Sequence, residues 1–200
     1  MHGFDTNKIF YTMATKQLNT KQYVSAINLF GAINELKRIE EISCLILVDY
    51  LNSGEPKNLL CLNSLNSSIV CKIEILQSLI CYLNIVQLLI KDSTAELRNS
   101  ITEFFSISKS GPNPVWPVLI VDLVGLVNNG SFVNSCSKEY LYNLLSASEL
   151  VINSPIKSKL YLPMIVSHGK SIVSKFNSEK DIDEALQLFI YSCLKSVSVI

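Results

Sequence analysis

Histidine is almost missing from these 200 residues: only His2 and His168 occur, and tryptophan occurs once. That scarcity removes the commonest general base and the commonest transition-metal ligand. The chain has no C-x-x-C pair, no H-E-x-x-H, no G-x-S-x-G and no phosphate-binding glycine loop, so no motif places a reactive group. Seven glycines and six prolines are too few for a collagen-like or low-complexity chain. Charged residues are only 17%, and 17 basic residues balance 17 acidic ones, so no global field is available to hold a polyanion. Apolar residues make up 48%, with a mean hydropathy of +0.32, which excludes intrinsic disorder.

What remains is a chain long enough for one large domain or two small ones, able to bury a substantial core. His168 lies in Val166-Ser167-His168-Gly169-Lys170 with no carboxylate or cysteine beside it. Glu40-Glu41 and Asp183-Glu184 fall on polar helix faces, where solvation explains them. The expectation is therefore no enzyme, no cofactor and no metal. The six cysteines, Cys44, Cys61, Cys71, Cys81, Cys136 and Cys193, sit mostly among apolar residues and read as free thiols acting as small hydrophobes. Cys71 and Cys81 are expected on one face of one helix, about 15 Å apart, too far for a disulfide or a shared metal.

Met1 to Tyr11 contains Asp5 and Lys8 and no apolar core, so it is not a signal peptide, and an intracellular location, cytoplasmic or nuclear, is expected. The apolar run Ile69 to Ile90 contains Lys72, Glu74, Gln77, Asn84 and Gln87, and Val115 to Val127 contains Pro117 and Asp122. Both read as buried helices, and no membrane partner is expected.

The dominant hydrophobic period is helical. Tyr23, Ala26, Ile27, Phe30 and Ile33 form one apolar stripe, and Ile182, Ala185, Leu186, Phe189 and Cys193 form another. Helices are expected at about 5–18, 20–36, 38–52, a long one from Ser67 or Ser68 to Ile90, one to Ser108, then 115–128, 137–153, 155–176 and 178–196. Residues 57–65 read as a short helix or loop. Gly54 suits a left-handed cap, and Ser110-Gly111-Pro112-Asn113-Pro114 forbids continuation of a helix. This divides the chain into an N-terminal helical half (1–109), a proline-rich break (110–117) and a C-terminal helical half (118–200), all in one solenoid.

Phe10-x-x-Met13-Ala14 and Tyr23-x-x-Ala26-x-x-x-Phe30 resemble the tetratricopeptide repeat (TPR). In that repeat small residues let two helices approach while large ones fill the groove between them. Ile182-Asp183-Glu184-Ala185-x-x-x-Phe189 echoes its second helix. The pattern departs at Gln17, where the repeat has an aromatic, at Lys21, where it has the turn glycine, and at Ile33, where it has a small residue. The fold class is thus all-α: a right-handed α-α superhelix of about nine or ten antiparallel helices, TPR-like and irregular in the middle.

The resemblance implies a non-catalytic scaffold that binds protein within a multi-subunit assembly. Polar positions on the first helix, Lys8, Thr12, Thr15 and Asn19, are the candidate partner-binding residues. The alternative is a nucleic-acid-binding module using Lys157, Lys159, Lys170 and Lys175, which lie between Pro155 and Ser178 with no acid among them. A helical-bundle enzyme is the second alternative. Low charge and an apolar end at Val197-Ser198-Val199-Ile200 lead to the expectation of a fragment of a longer solenoid or an obligate subunit.

Overall fold

The computed structural model describes residues 5–55, 57–91, 94–108, 112–128, 132, 136–153 and 179–198, and among them there is no strand. The helices are α1 (Thr6–Asn19), α2 (Tyr23–Ala32), α3 (Leu36–Ser53), α4 (Lys57–Leu60), a 3-10 turn (Cys61–Ser64), α5 (Ser67–Val70) and α6 (Glu74–Lys91). They continue with α7 (Thr94–Ile107), α8 (Trp116–Asn128), α9 (Lys138–Ile152) and α10 (Glu179–Ser198). The expected helix at 155–176 lies outside the described residues. The architecture is an all-α stack in which α1 packs on α2, α2 on α3, α3 on α6 and α6 on α7; α10 then packs against both α8 and α9.

Two turns of one kind close the first hairpins. The Gln22 N–H donates to the Gln17 carbonyl and the Lys21 N–H to the Leu18 carbonyl, both at 2.9 Å. The Glu35 N–H donates to the Phe30 carbonyl at 2.9 Å and the Asn34 N–H to the Gly31 carbonyl at 3.1 Å. Each pair is a Schellman closure, with the pivot residue in the left-handed region at φ 57° for Lys21 and 58° for Asn34. Asn34 is why α2 ends at Ala32, short of the expected residue 36. Lys21 occupies the position where the TPR pattern has glycine, in the conformation that favours glycine. Gly54 closes α3 in the same region at φ 65°.

Ala14 and Ala26 are fully buried between α1 and α2, and Phe30 is buried beside them with the Tyr11 ring edge-on at 5.5 Å. Phe10 and Tyr23 are half-buried. Met13 does not fill this groove as the pattern implied: it is 47% exposed. One helical turn separates it from Ile9, and both are turned away from Ala14 around the helix axis. Gln17, at the repeat's aromatic position, is half-buried and its Oε1 has no hydrogen-bond partner.

The long apolar helix expected from Ser67 or Ser68 is in fact two helices. Asn66, rather than either serine, caps α5, its Oδ1 accepting from the Ser68 N–H at 2.9 Å. α5 ends at Val70, and α6 starts at Glu74. Ile69 reaches α2 at Gly31, where an added Cβ would stand 2.5 Å from Ile69 Cδ1. α5 thus leans on α2 while α6 packs on α3 and α7, and one straight helix could not do both. Cys71 falls in the turn between them and is exposed, so it shares no helix face with Cys81.

Among the described helices α6 is long and apolar enough to cross a membrane, yet half of it is buried within the molecule. Its buried face carries Ser78 and Tyr82, both hydrogen-bonded to other elements, as expected of a core helix. The start of α8 is held by rings: Trp116 stands 4.7 Å from Phe105 and 6.3 Å from Phe104 of α7, measured between centroids.

Two stability outcomes follow from the first hairpin. Gln17→Met keeps the side-chain length and removes the orphan acceptor, raising stability by about 1 kcal/mol in urea unfolding. Ala26→Leu overfills the α1–α2 contact and lowers it by about 1–3 kcal/mol.

Candidate interaction surfaces

Most described side-chain hydrogen bonds are local, but a few tie helices together. On the surface, Lys21 Nζ lies 3.0 Å from Asp49 Oδ2, and the Tyr23 hydroxyl donates to the same oxygen at 2.6 Å. This joins the α1–α2 turn and α2 to α3. Burial pushes the Asp49 carboxyl up, but the hydrogen bonds from Tyr23 and Lys21 outweigh it and hold the group below the usual range. Lys21 is largely exposed, so this ion pair adds little stability. Arg38 on α3 donates to Glu41 at 2.7 Å and to the Tyr11 hydroxyl of α1 at 3.0 Å.

The interior holds a second chain of polar contacts. The Tyr50 and Tyr82 hydroxyls lie 3.1 Å apart, and Tyr82 donates to Asp122 Oδ2 at 2.5 Å. Asp122 is only 2% exposed. Three helices, α3, α6 and α8, therefore meet through two phenols and one carboxylate. Burial raises both tyrosines above their ordinary value, with the Asp122 charge as the next cause. Nearby, Asn113 Nδ2 donates to Ser78 Oγ and Ser108 Oγ, each at 2.7 Å, while its Oδ1 accepts from the Val115 N–H at 2.9 Å. The sequence marked Asp122 only as an interruption of an apolar run. A lone acid inside such a run, with tyrosines on neighbouring apolar helices, was the available signal.

Candidate positions Lys8, Thr12, Thr15 and Asn19 are all exposed on α1. The structure brings them to one helix but spends two of their donors internally. The Thr12 hydroxyl donates to the Lys8 carbonyl and the Thr15 hydroxyl to the Tyr11 carbonyl, both at 2.9 Å. A shallow hollow of about 400 Å³ is lined by Asp5, Lys8, Ile9, Thr12 and Met13. Among the described residues there are further hollows, one of about 480 Å³ beside Asn28, Gly31, Asn66 and Ile69 and one of about 240 Å³ between α7 and α9 at Phe105, Tyr140 and Leu144. Lys157, Lys159, Lys170 and Lys175, with His168, lie outside the described residues. Among the described residues no three His, Cys, Asp or Glu side chains gather as a metal set.

Cys81 and Cys193 are buried and Cys44, Cys61 and Cys136 partly so. Burial, helped by Glu103, pushes the Cys81 thiol up to about 12, and burial with Cys136 does the same for Cys193. Both groups ordinarily titrate at 9.0, so above that pH the unfolded chain releases protons that the folded chain keeps. Their contribution is complete below pH 9.0 and is lost as pH rises toward 12. Urea midpoints are expected to fall above pH 9.0, less steeply in the Cys81→Ala/Cys193→Ala variant. In the polar chain, Tyr82→Phe takes a donor from the buried Asp122 carboxylate and costs about 2–3 kcal/mol, whereas Asp122→Ala leaves the Tyr82 hydroxyl its Tyr50 partner and costs about 1–2 kcal/mol. The double variant loses less than the sum, as a cycle of urea unfolding curves measures.

These surfaces are formed by helices packed one after another. Comparison with known proteins adds the family. A family model described as Nup85 Nucleoporin matches residues 5–149, from the cap of α1 through most of α9. No curated protein and no solved structure gives a match. With well over half of its length inside that match, the chain belongs to the Nup85 nucleoporin family.

Proposed function

We propose that this chain is a non-catalytic scaffold subunit of the nuclear pore, positioned at the nuclear envelope, where its stacked helices hold neighbouring protein subunits in place. The observation that carries this reading is the family match across α1 to α9, laid over a stack of helices packed one after another. A nucleoporin of this kind works by area and shape. The enzyme alternative would need converging reactive groups, whereas Asp122, Tyr82 and Tyr50 are buried and hydrogen-bonded to one another.

Two finer readings belong to the same proposal. The α1–α2 hairpin is TPR-like, as supported by buried Ala14, Ala26 and Phe30 and by the left-handed turn at Lys21. The chain is one solenoid with a joint at 110–117. What supports the joint is that α8 and the residues just before it meet α6 and α7 through Tyr82–Asp122, Asn113–Ser78 and the Phe104, Phe105 and Trp116 rings. Lys8, Thr12, Thr15 and Asn19 lie on the partner-facing side of α1.

The test is to tag the full chain in its source cell, image it and purify what accompanies it. A rim of signal at the nuclear envelope, with a fixed set of pore subunits copurifying, is the expected result. Diffuse signal and a monomer free of partners would remove the reading.

A further inference from the structure

The outer side of α1 combines three features. First, it is apolar and exposed: Ile9 is 43% and Met13 47% exposed, one turn apart and both turned away from buried Ala14, by about 140° and about 100° around the helix axis. α1 packs chiefly on α2, which takes the Ala14 side. Second, the hollow of about 400 Å³ at these residues offers room for inserted side chains, and its floor is mostly hydrocarbon. The Thr12 hydroxyl that lines it is turned back to the Lys8 carbonyl, so it leaves its methyl rather than its donor for an incoming group. Third, the charge there is unbalanced. Lys8 lies at the hollow, and Lys16 follows four residues after Thr12 and three after Met13, on the same side of the helix. Among the described residues neither lysine has an ion-pair partner. The one acid present, Asp5, sits at the helix start and accepts from the Lys8 N–H at 3.3 Å as its cap.

We infer that the Ile9–Met13 face of α1 docks an amphipathic helix of a partner protein, whose apolar residues enter the hollow and whose flanking acidic residues pair with Lys8 and Lys16. The inference rests on the scaffold reading above and gives its partner a chemistry. Helix-on-helix packing suits the site because two apolar residues at i and i+4 form the kind of ridge that a facing helix groove accepts. Charge complementarity selects the partner: acidic flanks gain two pairings, while basic flanks meet two unneutralised lysines. A nucleic acid would engage the lysines and leave Ile9 and Met13 wet. A second copy of this chain would bring its own Lys8 and Lys16 against these.

The probes are two synthetic amphipathic helical peptides with the same leucine stripe, one flanked by glutamate and one by lysine, titrated into the isotopically labelled full chain. The glutamate peptide is expected to bind about fivefold or more tighter at low salt, with the difference shrinking near 0.5 M salt. Amide shifts should centre on residues 5–16. Lys8→Glu/Lys16→Glu should invert the order of the two peptides. Ile9→Ser/Met13→Ser, both at exposed positions and checked for helicity by circular dichroism, should weaken both peptides by about tenfold. The inference is overturned if the peptides bind alike, if neither binds, if the charge reversal leaves the order unchanged, or if the shifts map elsewhere. Self-association that Ile9→Ser/Met13→Ser abolishes would overturn it in favour of a second copy. If the wild-type chain still copurifies with pore subunits while the peptide results fail, this inference falls and the scaffold reading stands. Loss of copurification by the wild-type chain would instead remove the scaffold reading.

Discussion

Tyr82 is the residue on which the arrangement of the helices turns. It is fully buried, and its hydroxyl lies between the Tyr50 hydroxyl and the Asp122 carboxylate, so α3, α6 and α8 must present these groups to one another at fixed depth and rotation. Apolar packing alone leaves a helix free to slide or turn by a residue at small cost, because one leucine replaces another. A buried carboxylate has no such freedom, since a slip would strand a charge away from water. The hydrogen-bonded chain therefore sets the register of three helices whose surrounding contacts are almost all hydrocarbon.

Outside that centre, close approach is set by what is small. Ala14 and Ala26 bring α1 onto α2, and Gly31 lets Ile69 reach α2 so that α5 can lean away from the axis of α6. The turns at Lys21 and Asn34 share one hydrogen-bond scheme, which reverses the chain in few residues and keeps consecutive helices adjacent. A lysine in the left-handed region carries a backbone cost that glycine would avoid. At Lys21 the side chain offers partial compensation through Asp49.

The same economy of polar groups explains how such a chain serves as a pore scaffold. The Thr12, Thr15, Ser43 and Ser148 hydroxyls all bond back to carbonyls of their own helices, which leaves shape and hydrocarbon rather than reactive groups at those positions. Exposed apolar residues are numerous on the outermost helices, at Ile9 and Met13 of α1, Tyr142 and Leu150 of α9, and Leu188, Tyr191 and Leu194 of α10.

The sequence by itself determined the helical class, the hairpin at Ala14 and Ala26, the left-handed cap at Gly54, and the absence of any catalytic motif. Each is written in local spacing or in one residue's backbone preference, and the match to the Nup85 nucleoporin family agrees with the scaffold role that the TPR resemblance implied. Only the tertiary structure decided that Met13 faces outward, that Gln17 is left with an unpaired acceptor, that α5 and α6 are separate, and that Asp122 belongs with Tyr82. Periodicity records which positions are apolar but not which of two faces a neighbouring helix will cover. A polar residue in an apolar run likewise has no visible partner until helices forty residues apart are brought together.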